Sequence, residues 1–123
     1  MEKEIVDKIF QKELKKWHLQ DRGWTWRYGY PKSVRSCYWG NYIKSYSESY
    51  TEYWPEINIK DISINKGHKT KIGVKIDVRH ELYHAFCHEN CLEHSDFMAS
   101  MSEFFPLEKI LIRRLTRETK KEN

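Results

Sequence analysis

Ile5, Val6, Ile9, Phe10, Leu14 and Trp17 recur every three or four positions, with Lys and Glu filling most of the gaps. That spacing places them on one face of a helix, predicted over residues 2–17. Gly23 ends the pattern. Trp24, Trp26, Tyr28 and Tyr30 then alternate with Thr25, Arg27 and Gly29, a period of two built from β-favouring rings. A strand is predicted there. Pro31-Lys32-Ser33 is a turn signal, and residues 34–43 form a second predicted strand, so a hairpin is expected. Residues 44–56, KSYSESYTEYWPE, keep no clear period and read as a loop or a ragged strand extension. Their rings, Tyr46, Tyr50, Tyr53 and Trp54, either tuck into an ordinary surface loop or line a substrate-facing lip.

Ile57, Ile59, Ile62 and Ile64 predict a third strand, with an irregularity near Asp61, and Asn65-Lys66-Gly67 closes it with a turn. From Gly73 the period changes to that of a helix. Ile76, Val78, Leu82, Tyr83, Ala85, Phe86 and Cys87 make it substantially buried, running to about Cys91 with Asn90 as its terminator. A further helix is expected over about 95–104, broken by Pro106, and a last one from Leu107 fraying into the C-terminal KKEN. The expected architecture is α+β: an N-terminal helix, a three-stranded, mainly antiparallel sheet, a central helix and one or two C-terminal helices.

The chain's 123 residues are enough for one domain, spanning 1–123 with a core over about 24–105 and a basic tail from about 116. A mean hydropathy of −0.86 marks a polar chain, but 15% aromatic residues is too rich for a disordered one. The core is expected to lean on large rings. The net charge of +4 contains no dense basic block, so nothing here demands nucleic acid. Apolar runs are too short to span a bilayer. Cys37, Cys87 and Cys91 are an odd number of thiols with no signal peptide ahead of them, so reduced cysteines and a cytoplasmic location are expected.

His80-Glu81-Leu82-Tyr83-His84 is the segment that carries chemistry. On a helix, residues four apart lie one turn apart on the same face, so His80 and His84 can both reach one Zn²⁺. Glu81 lies about 100° around the helix from His80, placed to hold and deprotonate water beside the ion. Given 6 His and 13 Glu, chance placement yields this five-residue pattern with a probability of roughly 3%, which favours a metal site over accident. A hydrolytic zinc site has three protein ligands. His88 continues the four-residue series, but lies about 12 Å along the axis from His80. It is expected to be a surface group or to support a ligand from behind. The third ligand must return from beyond the helix: His94 is the leading candidate, with Glu103, Glu93 and Cys91 as rivals. His68, in the turn NKGHKTK, reads as an exposed turn residue rather than a ligand. Asp96 either orients a ligating histidine or caps the helix beginning near Ser95. Tyr83 reads as a core ring, and no single tyrosine of the 46–53 segment can be chosen as an oxyanion donor.

The order of elements, with WTWRYGYPKSVRSCYWGNYI, then INI, then HELYHAFCHENCLEHSDFM, resembles that of SprT-like zinc metallopeptidases, and is similar to the related WLM and YgjP-like small zincins. The resemblance covers about residues 24–98 and is most specific at HELYH. It implies a zincin-like fold, zinc held by His80, His84 and His94, Glu81 as general base, and hydrolysis of peptide bonds in a protein substrate. The chain departs from the family at Ser95, where a glycine follows the third histidine, and around Arg35-Ser36-Cys37 in the hairpin. The zinc ribbon and DNA-binding extensions of longer relatives are absent, which leaves DNA as the weaker partner expectation. The competing expectations are a non-catalytic zinc-stabilised module that binds protein or nucleic acid, and a latent peptidase whose cleft is covered.

Overall fold

A computed structural model describes residues 1–29, 49–93 and 96–104 of the chain. The elements are helix α1 (Lys3–Lys16), strand β1 (Thr25–Tyr28), strand β2 (Tyr50–Trp54), strand β3 (Ile59–Ile64), helix α2 (Lys71–Glu89) and helix α3 (Asp96–Ser102). The predicted strand over 34–43, the predicted helix from Leu107 and the tail lie outside the described residues. No helix among the described residues is long and apolar enough to cross a membrane.

The α+β expectation holds, but the sheet is mixed rather than mainly antiparallel. Its order is β1-β3-β2. β3 runs antiparallel to β2, pairing Thr51 with Ile62 and Tyr53 with Lys60. It runs parallel to β1, pairing Trp26 with Ile62 and Tyr28 with Ile64. Alternation marks residues as strand but says nothing of which strand they join. Here β1 bonds to a partner more than thirty residues on, in the same direction.

Two further corrections follow from local chemistry. β3 passes unbroken through Asp61, because that carboxylate, only 1% exposed, accepts from the Thr25 hydroxyl at 2.6 Å and from Arg27 Nε at 3.0 Å. Ile57 is not in the strand. Pro55–Ile57 forms a short 3-10 turn, Asn58 takes a left-handed conformation (φ 57°), and Ile57 is 50% exposed. Within the segment read as a loop or a ragged strand extension, β2 is an ordinary strand. Its buried Glu52 spoils the apolar alternation that would have revealed it.

α1 and α2 lie on the sheet face that carries Ile62 and Ile64. Trp26 Nε1 donates to Asp7 of α1 at 2.9 Å, and Thr51 and Tyr53 reach α2. Val6, Phe10, Leu14 and Trp17 of α1 meet Val78, Leu82, Tyr83 and Phe86 of α2 in one core with Ile62 and Ile64. Trp17 stands edge-on to Tyr83, with ring centroids 6.1 Å apart. Tyr83 is therefore the core ring expected, and burial pushes its phenol up to about 12.

α2 starts at Lys71, two residues before the predicted Gly73, because the Thr70 hydroxyl caps it by accepting from Gly73 N–H at 3.1 Å. It ends at the Asn90 cap. There Leu92 N–H bonds to Cys87 O at 2.9 Å and Cys91 takes a left-handed φ of 53°. α1 ends in the same way: Leu19 N–H bonds to Leu14 O at 3.0 Å, and His18 is left-handed at φ 56°.

Candidate metal and catalytic site

α2 presents Asp77, His80, Glu81 and His84 on one side over two turns, the i, i+3, i+4, i+7 stripe of a helix face. The imidazoles of His80 and His84 lie with ring centroids 5.3 Å apart. Both are half-buried, while Glu81 between them is only 6% exposed. A buried carboxylate needs a donor, and β2 supplies one. Thr51 Oγ1 stands 2.8 Å from Glu81 Oε2 and 2.9 Å from the Glu81 main-chain oxygen. Having one proton, this hydroxyl serves one of the two acceptors at a time.

A cavity of about 350 Å³ opens beside this face, and its described lining is Ser49, Asn65, His68, Asp77, His80, Glu81 and Glu103. Every one of these residues is polar, three are carboxylates, and none is Lys or Arg. The cavity is thus acidic within a chain of net charge +4. Burial, then the charges of Glu52 and Glu81, push the Tyr50 phenol up. Tyr50 thus stands in the field of those two carboxylates, whereas Tyr46 lies outside the described residues.

His68 overturns its reading as an exposed turn residue. The turn is stiffened by Gly67 N–H donating to Asn65 Oδ1 at 2.7 Å, and this brings the His68 ring over the first turn of α2. A Cβ at Gly73 would stand 2.8 Å from His68 Nδ1, so only glycine leaves room for the ring there. His68 Nε2 meets Asp77 Oδ2, which also accepts from the Ser49 hydroxyl at 2.6 Å. Ser49 in turn accepts from Asn65 N–H at 3.2 Å.

Glu103 lies at the cavity too, with Oε1 2.7 Å from His80 Nδ1. His88 stacks on Tyr53 at 5.1 Å and does not belong to the described lining of the cavity. Tyr53 in turn stacks on Trp24, and Trp24 Nε1 donates to Glu89 at 3.0 Å, tying the end of α2 to the sheet. Cys91 is exposed in its left-handed turn, Cys87 is buried with its thiol pushed up by that burial, and Glu93 is exposed. His94 and the side chain of Asp96 lie outside the described residues.

Among the described residues no three His, Cys, Asp or Glu side chains converge as a complete ligand set. The donors present still fit zinc chemically: two imidazoles on adjacent turns of one rigid helix, with a carboxylate between them. A third donor must be added to this pair.

Sequence reasoning missed Thr51 and Ser49, whose segment carried no periodic signal. Asp77 was legible in principle, since it stands three residues before His80 and four before Glu81. No protein-family model, no curated protein and no solved structure matches this chain.

Proposed function

We propose that this chain is a zinc-dependent endopeptidase of the SprT-like, zincin kind. The observation that carries the reading is the His80–Glu81–His84 face, with paired imidazoles 5.3 Å apart and a buried glutamate fixed by Thr51 at the wall of an open polar cavity. A purely structural zinc site has no use for such a carboxylate and is closed by four protein ligands. His80, His84 and His94 would hold the ion. When bound there, zinc supplies a Lewis acid that polarises a carbonyl and acidifies water.

Glu81 takes a proton from the attacking water as its oxygen bonds to the scissile carbonyl carbon, and returns that proton to the amine nitrogen as the C–N bond breaks. Thr51 keeps the Glu81 carboxyl in one orientation through both transfers. The 350 Å³ cavity is large enough to take a substrate side chain next to these groups.

Elemental analysis tests the reading, with the wild type beside Glu81→Gln and His94→Ala. One zinc per chain is expected in the first two, with loss in the third. Zinc-loaded wild type should then hydrolyse an unfolded protein such as casein, and Glu81→Gln should lose at least about 100-fold in rate. No zinc uptake by the wild type, or undiminished hydrolysis by Glu81→Gln, refutes the proposal.

A further inference from the structure

Glu103 stood among the rivals for third ligand, yet its contact is with the other side of a ligand candidate. Its backbone is pinned first. Glu103 N–H donates to Ser100 O at 3.3 Å, and its carbonyl accepts from Arg79 Nη1 at 3.2 Å. Arg79 is itself fixed by Glu13, a carboxylate of α1 that is only 1% exposed, through an Nε–Oε2 contact of 3.4 Å. A chain of contacts therefore runs from the core of α1, through Arg79, to the segment after α3. At its end the Glu103 carboxylate turns back to His80 Nδ1 at 2.7 Å.

A neutral imidazole carries one N–H, and an ionised carboxylate is an acceptor only. With the carboxylate at Nδ1, the proton sits on Nδ1 and the lone pair on Nε2. The two ring nitrogens direct their in-plane bonds roughly 140° apart, so an oxygen at Nδ1 is out of the bonding range of an ion at Nε2.

We propose that Glu103 is a positioning residue for His80, accepting its Nδ1 proton so that Nε2 is presented to the metal, and is not the third ligand. The inference rests on the zinc reading above. It assigns to the end of α3 the job of orienting a ligand and raising its basicity, the task that a carboxylate behind a ligating histidine performs.

The test uses the full chain and three readouts. In the metal-free protein, above the usual imidazole titration range, ¹⁵N NMR should find His80 as the Nδ1–H tautomer. Glu103→Gln should keep it, because the amide oxygen still accepts, while Glu103→Ala should release it to a mixture. Competition with a chromophoric chelator should give a zinc affinity about 10- to 100-fold weaker in Glu103→Ala. The visible bands of the cobalt(II)-loaded chain should stay in place in both variants, since the ligand set is unchanged. An Nε2–H tautomer in the wild type, an affinity within twofold in Glu103→Ala, or shifted cobalt bands in either variant overturns the proposal while leaving the zinc reading standing. A wild-type chain that takes up no zinc overturns both.

Discussion

Replacing Thr51 with valine keeps the shape of the side chain and removes the hydroxyl that stands 2.8 Å from Glu81 Oε2. Glu81 is 6% exposed, so this hydrogen bond lies in a largely desolvated setting. A hydrogen bond to a charged group contributes about 1.5–3 kcal/mol. Thr51→Val should therefore destabilise the fold by about 2 kcal/mol. For a domain of this size that lowers the melting temperature by roughly 6–12 °C.

A double-mutant cycle isolates the interaction from incidental packing. Glu81→Met removes the acceptor at comparable volume, and the double variant places two apolar groups in contact, an arrangement that can be nearly neutral. Urea unfolding of the four proteins should yield a coupling of about 1–2 kcal/mol, with the double variant more stable than the sum of the singles implies. Additivity within about 0.5 kcal/mol would refute the argument. Thr51 would then be a bystander, and the Glu81 carboxyl would take its orientation from elsewhere.

Two other outcomes follow from the geometry. His18 and Cys91 each hold a left-handed φ at an exposed helix end, where a Cβ costs about 1 kcal/mol, so His18→Gly and Cys91→Gly should each stabilise by roughly 0.5–1 kcal/mol in urea titrations; destabilisation would contradict the two helix ends described. Burial raises the Tyr83 phenol from 10.0 to about 12, so the folded state holds its proton more tightly than the unfolded chain. The stabilisation this gives is complete below pH 10 and disappears as pH rises from 10 to about 12, so the melting temperature should fall across that window, and Tyr83→Phe should flatten the fall.

Much of the architecture was written in local pattern. The face Val6, Phe10, Leu14 and Trp17 marks α1, the alternating rings from Trp24 mark β1, and the buried positions around Leu82 and Phe86 mark α2, because periodicity reports which side of an element leaves water. His80, Glu81 and His84 were legible for the same reason: fixed spacing on a helix fixes their common face. Strand β2 was legible only as a ragged strand extension set against a loop, since its buried Glu52 is a polar residue at a covered position.

Sequence alone, then, determined α1, β1, β3 and α2 and the common helix face of His80, Glu81 and His84. Only the tertiary structure decided which strands pair and in which direction, because hydrogen bonding between distant segments leaves no local period. It likewise decided that Thr51 meets Glu81, that His68 and Ser49 meet Asp77, and that Glu103 meets His80. Those partners come from β2, from the ends of strands and from the end of α3. They are brought to α2 by burial of the shared core, which acts without direction and encodes no spacing along the chain.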